Sequence, residues 1–142
     1  MKKLLIAFAS FAIAGVAIAG LDAYEVNNFN NLLLPQAITD GAAVTGSAVS
    51  VKSAKGRAAL VFSFKGSSTG TAHNASIQLQ ESPNGSTAWS NVTDSVASVT
   101  STNAGAMNAL EVDTATLSTY VRVVATSTGG ADTVSAVIIT PK

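Results

Sequence analysis

The chain has 142 residues, of which 47% are hydrophobic and 11% charged, and its formal net charge is zero. This length is typical of one domain with a buried core, and zero net charge provides no electrostatic attraction to nucleic acid. The absence of cysteine excludes disulfides, zinc–thiolate sites and thiol nucleophiles. Cytosolic enzymes usually contain about a quarter charged residues, so this composition is more typical of extracellular and viral β-proteins.

Residues 1–20 are arranged like a secretory signal. Two lysines precede an apolar run over residues 4–19, which ends in the small-x-small sequence Ala17-Ile18-Ala19. Export with cleavage after Ala19 is one prediction. Retention of residues 4–19 as a membrane anchor is the alternative, because a run of this length is near the lower limit that spans a bilayer.

Residues 21–43 predict an extended arm or linker before a β-domain at 44–142. The segment contains aromatic residues, several asparagines and a leucine triplet that ends at a proline, and the asparagines weaken any helix prediction. Two interpretations stay open. The arm could lie on the domain and bury Phe29 and residues 32–34, or it could reach a neighbouring subunit. In the second case the predicted contact residues are Tyr24, Phe29, Leu32, Leu33 and Leu34.

From residue 44 onward, short alternating segments are separated by turn signals about every ten residues, which predicts an all-β fold. We expect an antiparallel β-sandwich of seven to eight strands, either Ig-like or jelly-roll-like. The predicted strands are 44–52, 57–64, the two arms of a hairpin at 75–94, 95–102 with a bulge or break between Val96 and Val99, 108–113, 120–126 and 133–140.

The hairpin at 75–94 is the strongest local signal. Ile77 and Leu79 alternate with two glutamines, as expected of a half-buried strand. The sequence Pro-Asn-Gly at 83–85 then supplies turn chemistry.

Four aromatic residues are predicted to anchor the core: Phe62, Phe64, Trp89 and Tyr120. Each can bury about 150–250 Å², in a core otherwise made of valine and alanine. If Trp89 is a core residue, its replacement by alanine should cost about 3–5 kcal/mol.

No catalytic or cofactor-binding constellation is predicted. His73 is the one histidine, and in a loop without a serine elbow or cysteine it is expected to be solvated. Glu111 and Asp113 share a strand face, and with Asp94 or Asp132 they could bind calcium; a solvated outer strand face is the competing interpretation. The protein is therefore predicted to be a non-enzyme without a cofactor, whose function resides in its surface.

Two separated segments resemble small structural proteins encoded among bacteriophage head and tail genes. One is 77–92, in which Leu-Gln-Glu-Ser leads into an Asn-Gly turn and then Trp89. The other is Tyr-Val-Arg-Val-Val-Ala-Thr at 120–126, followed by a hydrophobic last strand. The resemblance covers about residues 45–140. It implies a β-sandwich virion component, such as a capsid decoration or head-associated protein, whose partners would be further copies of itself or a major capsid protein.

The signal-like N-terminus departs from this pattern, since phage head proteins assemble in the cytoplasm. Residues 4–19 could anchor the chain in a lipid-containing virion or lie buried in a capsid. Alternatively, the domain could be a secreted bacterial surface protein. The turn and Trp89 are also similar to discoidin-like carbohydrate-binding sandwiches, in which Asn84 would usually be aspartate, so a glycan-binding module is a further hypothesis. A third is a subunit of an extracellular fibre built through the N-terminal arm.

Overall fold

The computed structural model describes residues 28–54, 56–66, 73–101, 105–129 and 132–140. These residues contain nine strands and, between β7 and β8, a 3₁₀ turn at Thr114–Thr116. The strands are β1 Asn28–Ile38, β2 Ala43–Thr45, β3 Val49–Ser50, β4 Arg57–Lys65, β5 His73–Ser82, β6 Ser90–Ser101, β7 Ala106–Asp113, β8 Tyr120–Thr128 and β9 Asp132–Thr140. Within these ranges no helix is long and apolar enough to cross a bilayer.

Two antiparallel sheets pack face to face, so the predicted β-sandwich is confirmed. Sheet A has the order β1-β9-β4-β7, and sheet B has the order β2-β8-β5-β6, with β3 also paired to β8. The partners are thus β1 with β9, β2 and β3 with β8, β4 with β7, and β5 with β6. The paired strands lie progressively farther apart in sequence on either side of the β5–β6 hairpin. This is the pairing of one long hairpin folded over into two sheets, which is the jelly-roll strand order. The hairpin predicted at 75–94 is the closed end of that folded hairpin.

The core lies between the sheets and is formed by alternate residues of the four central strands. Phe62 and Phe64 are each 1% exposed, which confirms them as core residues. The inward side chains around them include Leu60, Ile77, Leu79, Val121, Val123, Val134, Ala136 and Ile138.

The other two predicted anchors, Trp89 and Tyr120, are not core residues. Tyr120 is only partly buried, because it precedes the inward-facing Val121 on β8 and therefore points to the outer face of sheet B. Trp89 lies just before β6, is also partly buried, and stacks on Arg122, the next outward residue of β8.

The predicted start of the sandwich at residue 44 is wrong, because Asn28–Ile38 forms strand β1 and pairs with β9. Leu32 and Leu33 are 0% and 3% exposed and lie in the chain's own core. They are therefore not available as subunit contacts. Register shifts on either side of Leu33 allow consecutive leucines to face inward, and such bulges hide the period of two from the sequence.

The segment predicted as one strand at 44–52 is divided into β2 and β3 by Gly46. Its backbone N–H donates to the carbonyl of Val123 at 2.8 Å, and the N–H of Ser47 donates to the carbonyl of Leu32 at 2.7 Å. The segment that follows β2 is thus bonded to β8 of sheet B through Gly46 and to β1 at the edge of sheet A through Ser47. A Cβ at Gly46 would lie 2.0 Å from that Leu32 oxygen, so only glycine permits this close approach.

The two strands predicted around residue 95 form one strand, β6. Gln78 of β5 pairs with Val96, whereas Gln80 pairs with Asn91, so β6 contains extra residues at this point. The predicted irregularity therefore precedes Val96 instead of following it. Asp94 adopts a φ of +55° within it, which aspartate tolerates better than most residues.

Candidate functional site

A buried polar cluster joins the two sheets where β5 and β9 begin. Nδ1 of His73, on sheet B, lies 2.6 Å from Oδ1 of Asp132, on sheet A. The hydroxyl of Ser127 donates to the other carboxylate oxygen, Oδ2. All three residues are at most 3% exposed. The expectation of a solvated His73 is therefore wrong.

This cluster contains the residue types of a catalytic triad in a different arrangement. Asp132 lies between the other two and hydrogen-bonds to both, whereas a nucleophile must bond to the histidine that removes its proton. The burial of Ser127 also keeps substrate away from its hydroxyl. The cluster consequently acts as a connection between the sheets.

The alternation of inward and outward residues along β5 and β9 is the sequence signal that could have located this cluster. His73 continues the inward series of Ala75 and Ile77, and Asp132 continues that of Val134 and Ala136. A polar residue in an inward phase needs a hydrogen-bonding partner. Phase alone does not identify which partner it meets.

The carboxylates considered for calcium are separated by the fold. Glu111 bonds to Arg57 at 2.6 Å on the outer face of sheet A, and Asp113 accepts from the N–H of Ala115 at 2.9 Å. Asp132 lies at the opposite end of that sheet. Among the residues that the structure describes, no three His, Cys, Asp or Glu side chains are grouped as metal ligands.

A row of polar side chains crosses the outer face of sheet B around Trp89. The guanidinium carbon of Arg122 lies 4.1 Å from the centre of the Trp89 ring. Nε of Arg122 donates to Gln80 at 2.9 Å, whose amide donates to Asn91 at 3.0 Å. Arg122 is the one charged residue among the outward positions of the central strands β5 and β8, which otherwise carry hydroxyl, amide and small apolar groups, including Asn74, Ser76, Gln78, Thr126 and Thr128.

Next to this row, the turn of the β5–β6 hairpin is held by its own side chains. Oδ1 of Asn84 accepts from the N–H groups of Ser86 and Thr87, and the hydroxyl of Ser82 donates to the carbonyl of Thr87. Gly85 has a φ of +73°, a conformation that favours glycine. The turn is thus built by the Asn-Gly chemistry that predicted it.

The outer face of sheet A has a different chemistry, since its outward side chains form two apolar rows beside a row of paired serines. By register, the rows are Ala59 with Ile139, Val61 with Val137 and Ala109, and Ser63 with Ser135 and Met107, and the charged Glu111 completes the Ala59 row on β7. We call the eight uncharged residues of these rows the apolar face. Ala59 and Val61 are 1% and 6% exposed although they point away from the core, and the other six are partly buried. The serine hydroxyls lie 2.7 Å apart and bond to each other.

Two of the predicted contact residues have large exposed side chains. Phe29 is 56% exposed and pairs with Ile139 at the β1 edge of the apolar face, and Leu34 is 66% exposed on the same strand. For these two the predicted subunit contact remains a prediction. Tyr24 lies outside the described residues.

Comparison with family models, with curated proteins and with solved structures gave no match for this chain.

Proposed function

We propose that this chain is a non-enzymatic structural subunit of a phage virion, attached to or placed between capsid subunits. Its contacts would be made by the apolar face and the neighbouring β1 edge. The function would thus reside in a surface, and the buried His73 cluster would only connect the sheets.

The single observation that carries this proposal is the chemistry of the apolar face. Contiguous apolar surface, rimmed by polar residues, marks interaction sites on soluble domains. The outer sides of β4, β7 and β9 provide such a surface around Val137 and Ile139, and the exposed Phe29 extends it at the β1 edge. Lys65 lies at one end of this surface and Glu111 at the other.

The jelly-roll order gives this proposal weaker support, because the order is shared by viral capsid domains and by lectins. It is a fold-level analogy, and an activity must be argued from a site. The resemblance of residues 77–92 and 120–126 to phage structural proteins points in the same direction.

The test is quantitative mass spectrometry of phage particles purified from a host that expresses this chain. A virion subunit remains with the particles through density-gradient banding at a constant ratio to the major capsid protein. Loss of the chain from the banded particles contradicts the proposal.

Sequencing of the N-terminal residue of the mature protein distinguishes a secreted protein from a virion protein with a retained anchor. Gly20 as the first residue indicates export with cleavage, and an intact Met1 indicates a retained anchor.

A second candidate, a secreted glycan-binding module, is favoured by the row around Trp89. An aromatic ring beside the amides of Gln80 and Asn91 is the combination that binds sugar rings by stacking and hydrogen bonding. A glycan array provides the test. Retention of a glycan by the wild type and its loss in Trp89→Ala, with Phe29→Ala on the other sheet unaffected, would favour this function over the virion role.

A further inference from the structure

We propose that the apolar face packs against the same face of a second copy of this chain about a two-fold axis. The inference rests on the proposed assembly role and names the first partner in that assembly. The facing β4 strands would run in opposite directions, so each contact would occur twice.

The composition of the apolar face suits a dry interface. Val61 and Val137 lie side by side across the two central strands, with Ala109 completing their row on β7. The polar side chains in the next row, Ser63 and Ser135, already bond to each other at 2.7 Å. Covering them therefore leaves few new unpaired polar groups, which is the main cost of burying a polar surface.

The charges at the ends of the face make it complementary to itself. Lys65 lies exposed at one end of β4. At the other end lie Arg57, Glu111 and Asp113, which together carry one net negative charge. The Lys65 row and the Glu111 row are six residues apart along β4, or about 20 Å. A two-fold axis midway between them, near residue 62, brings each Lys65 to Glu111 of the second copy.

This charge pattern favours a second copy over the apolar run at 4–19 as the occupant. Residues 4–19 contain no charged side chain, so this run could cover the apolar rows but could not itself pair with Lys65 or Glu111. A copy in the opposite direction covers the rows and pairs both ends, with the Val61 row of one copy over the Ser63 row of the other.

The size of the whole outer face of sheet A, of which the apolar face is the centre, sets the expected affinity. Its four strands, about 4.8 Å apart and about nine residues long, give an area of about 600 Å² per copy. Both copies together would bury about 1,200 Å², the lower limit of standard-size interfaces. We therefore expect a reversible dimer that dissociates in the micromolar range.

The test is sedimentation velocity of the full chain over concentrations from micromolar to millimolar, with Val137→Glu compared with Val124→Glu. Both valines are partly buried in central strands and point outward, the first on sheet A and the second on sheet B. Burial of an unpaired carboxylate in an apolar interface is costly, so Val137→Glu should weaken the dimer by at least about tenfold and Val124→Glu should leave it unchanged. Circular dichroism confirms that each variant is folded.

Charge reversal of exposed residues provides a second measurement, which does not perturb the apolar rows. Lys65→Glu and Glu111→Lys should each weaken the dimer, and the double variant should restore it, since the pair is then reversed. A chain that is monomeric at all these concentrations overturns the inference. So does a dimer that Val137→Glu leaves intact, or one that the double charge reversal fails to restore.

These outcomes are distinct from failure of the proposed function. If the chain forms a dimer with the expected variant effects but is missing from purified virions, only the virion role is contradicted. A chain that bands with virions but stays monomeric in solution overturns only the two-fold contact.

Discussion

Nδ1 of His73 lies 2.6 Å from the carboxylate of Asp132, and this contact joins the first residue of β5 in one sheet to the first residue of β9 in the other. Neither residue is more than 3% exposed. A buried pair of this kind is sensitive to the loss of either partner, since the remaining group keeps its desolvation cost without its bond.

Asp132→Ala is therefore expected to lower the free energy of unfolding by about 3 kcal/mol, because both His73 and Ser127 lose their partner. Urea unfolding followed by circular dichroism measures the change. Asp94→Asn is the matched control: Asp94 is exposed, and asparagine also adopts its positive φ, so it should change stability by no more than about 0.5 kcal/mol. Equal stability of the two variants would refute a structural role for the cluster.

Trp89→Ala should cost only about 1 kcal/mol, the magnitude of an exposed cation–π contact with some lost packing. Phe62→Ala should cost about 3–5 kcal/mol, because it opens a cavity in the core. The same unfolding experiment compares them. Trp89 is also the one tryptophan, so Arg122→Ala should shift its fluorescence emission to the red. A blue emission maximum that Arg122→Ala leaves unchanged would place the ring in the core after all.

Gly46→Ala is expected to be strongly disruptive. The added Cβ would meet the Leu32 carbonyl oxygen at 2.0 Å and push apart the backbone bonds that join the segment after β2 to β1 and to β8. Gly41→Ala serves as control, because its Cβ meets nothing within 4 Å and only its φ of +70° opposes the change, at about 1–2 kcal/mol. If thermal unfolding shows Gly46→Ala to be as stable as Gly41→Ala, the close approach is not required.

Local chemistry made much of the fold predictable. The Asn-Gly turn and the alternation of Ile77 and Leu79 identified the β5–β6 hairpin, and the alternation on β4 identified Phe62 and Phe64 as core residues. These signals depend on neighbouring residues, whose geometry is set by the period of a strand.

The failures have long-range or irregular causes. Sequence alternation does not reveal strand β1, because bulges beside Leu33 interrupt it. The size of Trp89 predicts a core residue, but its place before β6 directs it to Arg122. The cluster of His73 and Asp132 joins residues 59 positions apart, and no local pattern specifies that meeting.

Chemical cross-linking tests most directly whether the apolar face packs against the same face of a second copy. The chain has no cysteine, so Val137→Cys introduces a single thiol close to the proposed axis. A bis-maleimide that spans about 10 Å, the spacing of sheets packed face to face, should link two such chains into a covalent dimer. Val124→Cys, on the outer face of sheet B, should remain monomeric under the same conditions. Equal yields from the two variants, or no covalent dimer from Val137→Cys, would contradict the account.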